Sequence, residues 1–198
     1  MRSRRLWLLG ALSFSLAGCG LGKVAPAPKE LDLGSPPAAE TISWRFDAIA
    51  LPVFNQSKQV GLEDVIWRLG DDGAPNRYAT YRWSAPPARL VRERLFEQLS
   101  LHGAVLTESI NSEMPQLRVT LMQFEQIYRP DGSTNEGRVT LQAVFIRDGQ
   151  VLGQFLGSQA QEASANTAPA GAAALRIATD RLIDRLTRWL SEKLREQK

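Results

Sequence analysis

The amino-terminal leader of this chain ends in a motif that limits which residues can join a folded domain. Three arginines within the first five residues precede an apolar run at residues 6–16, which is too short to span a bilayer as a helix. The run leads into the lipobox pattern Leu16, Ala17, Gly18 and Cys19. We therefore predict that residues 1–18 are a signal peptide, recognised through Leu16, Ala17 and Gly18 and removed, and that the Cys19 thiol carries a diacylglycerol.

Lipidation of Cys19 would fix the protein to a membrane surface. Each buried methylene contributes about 0.8 kcal/mol, and the amine that cleavage frees accepts a further acyl chain such as palmitate. Gly20 follows, where an aspartate often retains enteric lipoproteins in the inner membrane. Gly20 therefore favours the outer membrane, with the protein facing the periplasm. The competing interpretation is an ordinary secretory signal with an incidental cysteine.

Removing the leader also removes the charge excess. The formal net charge of the whole chain is +3, and the leader holds three arginines and no acidic residue. Residues 19–198 are therefore formally neutral, and no run of Lys or Arg forms a stripe that could follow a phosphate backbone. We expect no nucleic-acid partner.

Composition divides the mature chain into two parts. Residues 19–40 hold the lipidated cysteine and a stretch rich in Pro, Ala and Gly, so we predict a flexible tether there. Fully stretched, twenty such residues reach roughly 60–70 Å. Residues 41–198 are long enough for a single globular domain with its own core.

Hydrophobic patterning predicts the strands of that domain. An apolar stretch at residues 42–54 alternates at first and is interrupted near its end by Pro52, and strands are expected at Asp64–Leu69 and 77–83. Residues 117–160 are expected to form a three-stranded antiparallel meander. Within it, a switch of apolar parity near residue 122 predicts a β-bulge, and an Asp-Gly pair at 148–149 predicts a type I′ hairpin turn.

Two amphipathic helices complete the predicted fold. The first begins at a Ser84 cap and buries a stripe of Val91, Leu95 and Leu99. The second follows a loop of small residues and covers residues 172–196. Two such helices can cover one face of a mostly antiparallel sheet, so we predict an α+β two-layer sandwich.

The residue inventory offers little for catalysis or metal binding. Lipidation consumes the only cysteine, and the single histidine, His102, is expected at the end of the first helix, as a cap or on the surface. Zinc sites with several His or Cys ligands are excluded by composition, and no phosphate-binding glycine motif or nucleophile elbow occurs. We expect a protein without enzymatic activity, cofactor or metal. An envelope hydrolase is a minor alternative that would have to use His102.

Four aromatic residues are the remaining candidates for contact with a partner or a lipid. They lie within seventeen residues around one turn and are Trp67, Tyr78, Tyr81 and Trp83. Aromatic residues are enriched at interfaces. The competing interpretation, which we favour, is that they pack two antiparallel strands against each other.

Several short motifs resemble those of a known family. They are Ala-Leu-Pro-Val at residues 50–53, Val-Ile-Trp-Arg at residues 65–68 and Tyr-Arg-Trp-Ser-Ala-Pro-Pro at residues 81–87. With the lipobox and the terminal helix, they resemble the ABC-type transport auxiliary lipoprotein family. The usual Tyr-x-Leu step after the tether is reduced here to the leucines of Lys-Glu-Leu-Asp-Leu at residues 29–33.

The resemblance implies a non-enzymatic, lipid-anchored part of an intermembrane lipid-transport system. Its expected partners are a periplasmic mammalian-cell-entry (MCE) protein and the associated ABC-type or other inner-membrane transporter. The lipoprotein would dock that assembly at the outer membrane, and a ring of several copies would suit a ring-shaped or tubular partner. The alternative is a periplasmic carrier that holds an acyl chain between its sheet and its helices.

The lipobox assignment makes a direct prediction. Cys19→Ala removes the sulfur that accepts the lipid, so the variant should incorporate no labelled acyl chain and should accumulate as uncleaved precursor. Metabolic labelling with a fatty acid and the mass of the membrane-bound product measure both effects. Normal processing of the variant would contradict the assignment.

Overall fold

A computed structural model describes residues 26–37, 44–52, 55–56 and 62–196, so the leader and the lipobox lie outside the described part. Within those ranges the chain forms one mostly antiparallel open sheet with two helices packed on one of its faces. The predicted α+β two-layer fold is confirmed. We call the sheet surface opposite the two helices the open face. Neither described helix is long and apolar enough to cross a membrane.

The elements follow one another along the chain as short strands, a helix, long strands and a final helix. The strands are β1 (Lys29–Leu31), β2 (Ala48–Ala50), β3 (Asn55–Gln56), β4 (Asp64–Leu69), β5 (Asn76–Trp83), β6 (Ala104–Leu106), β7 (Gln116–Tyr128), β8 (Asn135–Arg147) and β9 (Gln150–Glu162). Helix α1 (Pro87–Ser100) lies between β5 and β6, and α2 (Ala168–Arg195) ends the fold.

Strand β7 is the central strand of the sheet and pairs with other strands on both of its sides. On one side it pairs antiparallel with β8 over its whole length, and β8 pairs antiparallel with the edge strand β9. On its other side β7 pairs in parallel with β2, β3 and β4 at successive positions. The sheet continues from β4 to an antiparallel β5 and then to a parallel β1 at the edge, while β6 pairs in parallel with β2.

The long meander has the two irregularities that the sequence predicts. The β7–β8 register shifts between Leu121 and Gln123, which is the expected bulge. Asp148 and Gly149 have φ values of +52° and +73°, as the two central residues of a type I′ turn require. The bulge turns both Met122 and Gln123 towards the open face, while Leu121 stays in the core.

Helix α1 begins at Pro87 and not at the predicted Ser84 cap. Ser84 still belongs to the sheet edge, because its backbone N–H donates to the Leu31 carbonyl at 2.8 Å. Pro86 is the N-cap and no side chain caps the helix. A proline in the first turn is tolerated because the N–H it lacks would have no acceptor within the helix. The predicted stripe is fully buried and comprises Val91, Leu95 and Leu99.

Helix α2 lies directly on the backbone of β8. A Cβ added at Gly137 would lie 2.5 Å from the backbone nitrogen of Leu175, so glycine alone fits at this crossing. The helix begins at Ala168, four residues before the predicted start, because the Thr167 side chain accepts a backbone N–H of the first turn at 3.3 Å. The small residues that indicated a loop are therefore its first turn, and they permit the close approach to the sheet.

The folded domain begins earlier than the predicted boundary at residue 41. Lys29–Leu31 pairs with β5 as strand β1, with Leu31 opposite Trp83, and Leu33 lies in the core with 4% exposure. The prediction of a flexible tether across residues 19–40 is therefore wrong for residues 29–33. A three-residue strand shows too little alternation to be recognised inside a Pro-rich segment.

The apolar stretch at residues 42–54 contributes less strand than predicted. Its described part holds only β2, and Pro52, which cannot donate to a ladder, follows shortly after. Residues 42–43 and 53–54 lie outside the described part of the chain. Asn55 and Gln56, for which no strand was predicted, form β3 beside β7.

The crossing of α2 over β8 predicts the effect of a one-methyl substitution. Gly137→Ala forces the added Cβ against the helix backbone, so it should lower the free energy of unfolding by about 1–3 kcal/mol, as overpacking does. Denaturant titration of the full chain measures the change. Gln154→Ala, at an exposed position of β9, should change stability by less than about 0.5 kcal/mol. Equal effects of the two variants would contradict the tight crossing.

Candidate functional site

The four candidate aromatic residues divide into a core residue and a half-buried cluster. Trp83 is 1% exposed and meets Phe124 edge-on, with ring centroids 5.2 Å apart. The ring centroids of Trp67 and Tyr78 lie 6.2 Å apart. Tyr78 also meets Tyr81 edge-on, with ring centroids 6.3 Å apart. Trp83 has no surface to offer a partner, so its prediction as a contact residue is wrong. The other three pack the strand ends together, as the structural interpretation predicted.

A second tyrosine joins this cluster and connects it to buried polar groups. Tyr128 meets Trp67 edge-on at 5.8 Å, and its hydroxyl lies 2.6 Å from the hydroxyl of Tyr78. Tyr78 also donates to Gln126 Oε1 at 2.9 Å. Burial, reinforced by the hydrogen bond with Tyr128, raises the pKa of the Tyr78 phenol far above its usual range. Tyr78 therefore keeps its proton and remains a hydrogen-bond donor.

Gln126 is the centre of a polar network that holds the start of α2. Gln126 is only 1% exposed. Its Nε2 donates to Asn135 Oδ1 at 2.5 Å and to the Thr167 carbonyl at 3.3 Å. Asn135 Nδ2 in turn donates to Asn166 Oδ1 at 2.7 Å. The network joins β7, β8 and the loop before α2, so its role is to position the helix. The signal in the sequence was two amides at positions where the strand pattern calls for apolar residues.

His102 lies in the interior and not on the surface or at a helix cap. It is 7% exposed, its ring stacks on Trp44 with centroids 4.1 Å apart, and its Nδ1 lies 3.2 Å from the Trp44 carbonyl oxygen. It thereby holds the segment before β2 against the end of α1. Among the described residues, no three His, Cys, Asp or Glu side chains are grouped so that they could hold a metal ion.

The open face carries an area without charge that the sequence analysis did not single out. We call it the uncharged patch, and it comprises Thr120, Met122, Thr140, Gln142, Leu156 and Ser158 on β7, β8 and β9. Leu156 is 62% exposed and Met122 is 46% exposed. The Thr140 hydroxyl lies 3.1 Å from Gln123 Oε1 and 3.0 Å from the Ser158 hydroxyl, which joins the three strands across the patch. The period-two pattern of β7–β9 was the signal that could have identified it.

Ion pairs border the uncharged patch at one end of the open face. Arg68 Nε lies 2.6 Å from Glu125 Oε2, and both side chains are mostly buried. Arg138 contacts Glu136 at 2.6 Å and Asp71 at 2.5 Å. At the other end, Arg118 is exposed on the same face of β7, two residues before Thr120. The open face is therefore charged at both ends and uncharged in its middle.

The polar network at the start of α2 predicts a loss of stability without a loss of shape. Gln126→Met keeps the side-chain length but removes the hydrogen bonds to Tyr78 and Asn135, so it should lower the free energy of unfolding by about 1–3 kcal/mol. Hydrogen exchange should accelerate first in the opening turns of α2. Gln142→Met, on the open face, is the matched control and should leave both measurements nearly unchanged.

Comparisons with known proteins support the fold. No family model matches the chain, and no curated protein matches it in sequence. The crystal structure of a Xanthomonas campestris protein described by the family model DUF330 is similar, with a TM-score of 0.70 and 17% identity over 87% of this chain and 97% of that one. The crystal structure of an uncharacterised protein is similar with a TM-score of 0.65 and 14% identity over 84% of this chain and 100% of that one. The chain therefore shares its fold with a DUF330 protein.

Proposed function

We propose that this chain is a lipid-anchored docking protein of an intermembrane lipid-transport system and has no enzymatic activity of its own. Acyl chains on Cys19 hold it at the outer membrane, facing the periplasm. The uncharged patch binds an MCE-type periplasmic protein, which is fed by an ABC-type or other inner-membrane transporter. The observation that carries the proposal is the exposure of Leu156 on the edge strand β9, within a part of the open face that carries no charge.

The composition of the uncharged patch supports a protein partner. A sheet face that stays in water is polar, and charged residues, which make up 23% of this chain, would be expected among its side chains. Six neighbouring positions on three strands carry none, and two of them are exposed Leu156 and Met122. The buried core of a protein–protein interface is likewise depleted in charged residues and enriched in Met.

The border of the patch supports an oriented docking. The ion pairs of Arg68 and Arg138 with acidic neighbours lie at one end only. Charged groups at the rim of an interface contribute more to register and partner choice than to affinity. The other end carries Arg118 without an acidic neighbour in the paired strand position, Val144, so the two ends differ in charge. A partner with an uncharged centre and complementary charges at its two ends would therefore bind in a single orientation.

The choice of an MCE-type partner rests on the family resemblance of residues 50–53, 65–68 and 81–87. Several copies of the chain arranged in a ring would present their patches together to a ring-shaped or tubular partner. The alternative is a lipid carrier that holds an acyl chain between sheet and helices, and the close contact of α2 with the β8 backbone at Gly137 leaves no space for such a chain at that crossing.

Site-specific cross-linking tests the docking face. A photo-cross-linking residue at Leu156, in cells that also make the MCE-type protein, should form a covalent adduct with that protein. The same residue at Leu62, which is 56% exposed but precedes β4, is the control and should form none. In the absence of a cross-linker, Leu156→Glu should abolish co-purification of the pair while thermal unfolding stays within a few degrees of wild type.

Two outcomes would contradict the proposal. The first is efficient cross-linking from Leu62 with none from Leu156. The second is an adduct at Leu156 with another copy of this chain alone, which would make the patch a self-association surface.

A further inference from the structure

Residues 29–34 hold the amino-terminal end of the domain against its edge, and we call them the strap. Its first three residues are β1, which pairs with β5 along one side only. The Leu31 carbonyl accepts a hydrogen bond from the Ser84 backbone N–H at 2.8 Å. Beyond β1, the Leu33 side chain enters the core between the helices and the sheet and is 4% exposed.

Arg94 fastens the strap to the helix layer. Arg94 lies on α1, is 5% exposed, and donates from Nη2 to the backbone carbonyls of Leu33 at 2.7 Å and Gly34 at 2.6 Å. Its Nη1 lies 3.4 Å from Asp180 Oδ1 on α2 and has no hydrogen-bond partner. A buried guanidinium is costly unless it is paired and hydrogen-bonded. The two carbonyls of the strap therefore supply acceptors that Arg94 needs, and the strap and the arginine depend on each other.

The position of the strap determines how far an anchor at Cys19 lets the domain stand from the membrane. With the strap in place, nine residues, 20–28, separate Cys19 from β1, and nine extended residues span at most about 32 Å. With the strap released, 24 residues, 20–43, separate Cys19 from Trp44, where the described part resumes, and 24 extended residues span at most about 85 Å. We propose that the strap is a releasable length stop with Arg94 as its latch, a proposal that rests on the lipid anchor of the proposed function.

Several features allow the strap to open locally while the rest of the domain stays folded. Only three residues pair, and they do so on a single side. The Glu30–Arg82 ion pair beside them has half-exposed side chains and contributes little. Tension from the anchor acts first on Lys29, at the end of β1, so hydrogen bonds would break one after another. Edge segments of this kind open locally at a fraction of the free energy of global unfolding.

Proteolysis at lysine residues measures whether the strap is attached or released in the full mature protein. Lys23 precedes the strap and Lys29 lies in β1, so a lysine-specific protease produces a domain that begins at Val24 or at Glu30. A Lys58→Arg background removes the other lysine between the tether and the carboxyl-terminal helix. Intact mass spectrometry distinguishes the two products. In the parent protein, cleavage after Lys29 should be at least about tenfold slower than after Lys23.

Two variants should release the strap by different routes. Arg94→Ala removes the latch, and Leu33→Ala removes the apolar contact without touching the arginine. Each should accelerate cleavage after Lys29 about tenfold while the rate after Lys23 stays the same. Arg82→Gln, which removes only the exposed ion pair with Glu30, is the matched control and should behave like the parent.

The thermal unfolding of each variant is measured beside its digestion, to show that the variant is folded. If Arg94→Ala does not fold, the cleavage rates of Leu33→Ala test the proposal on their own. Cleavage after Lys29 as fast as after Lys23 in the parent would overturn the proposal, and so would unchanged rates in folded variants. The cleavage rates require neither acyl chains nor a partner. A failure here therefore leaves the docking function standing. A failure of the acylation test removes the length-stop role but not the attachment of the strap by Arg94 and Leu33, and a failure of the cross-linking test affects neither.

Discussion

Helix α2 rests on the backbone of β8, and the arrangement of the remaining structure depends on that contact. Gly137 provides the space on the strand, because a Cβ there would lie 2.5 Å from the Leu175 nitrogen. Gly171 provides it on the helix, where a Cβ would lie 2.3 Å from Gln126 Oε1. The two glycines bring a helix of small residues close enough for the Gln126 network to hold its first turn. With both helices on this side of the sheet, the open face remains available for binding.

The parts of the fold that the sequence predicts well are those determined by neighbouring residues. The type I′ turn follows from the Asp-Gly pair at 148–149, which takes up two positive φ values at little cost. The bulge near Met122 follows from a switch of apolar parity, because the side-chain period of a strand is two. Strand β4 was predicted with its observed bounds. In each case a pattern within one or two strands carries the information.

The parts that could not be predicted depend on contacts distant in sequence. Strand β1 exists because β5, some fifty residues later, offers an edge, and its own three residues show no distinctive pattern. Arg94 lies at a helix position where a solvated arginine is usual, and its burial depends on carbonyls sixty residues away. The uncharged patch required knowledge of which residues of β7, β8 and β9 lie side by side. Trp83 was placed among surface candidates because its burial is decided by Phe124, more than forty residues further on.

The strap and the uncharged patch lie at opposite edges of the same sheet, and this separation has a mechanical consequence. From β1 the sheet runs through β5, β4, β7 and β8 to β9, where Leu156 lies. Five steps between strands amount to about 24 Å. If Cys19 carries the proposed lipid anchor, the reach of nine extended residues added to this width places the patch about 60 Å or less from the membrane while the strap holds. A load between the patch and the anchor would act in series on the sheet and on the strap, and the strap, which pairs through three residues, is the smaller attachment.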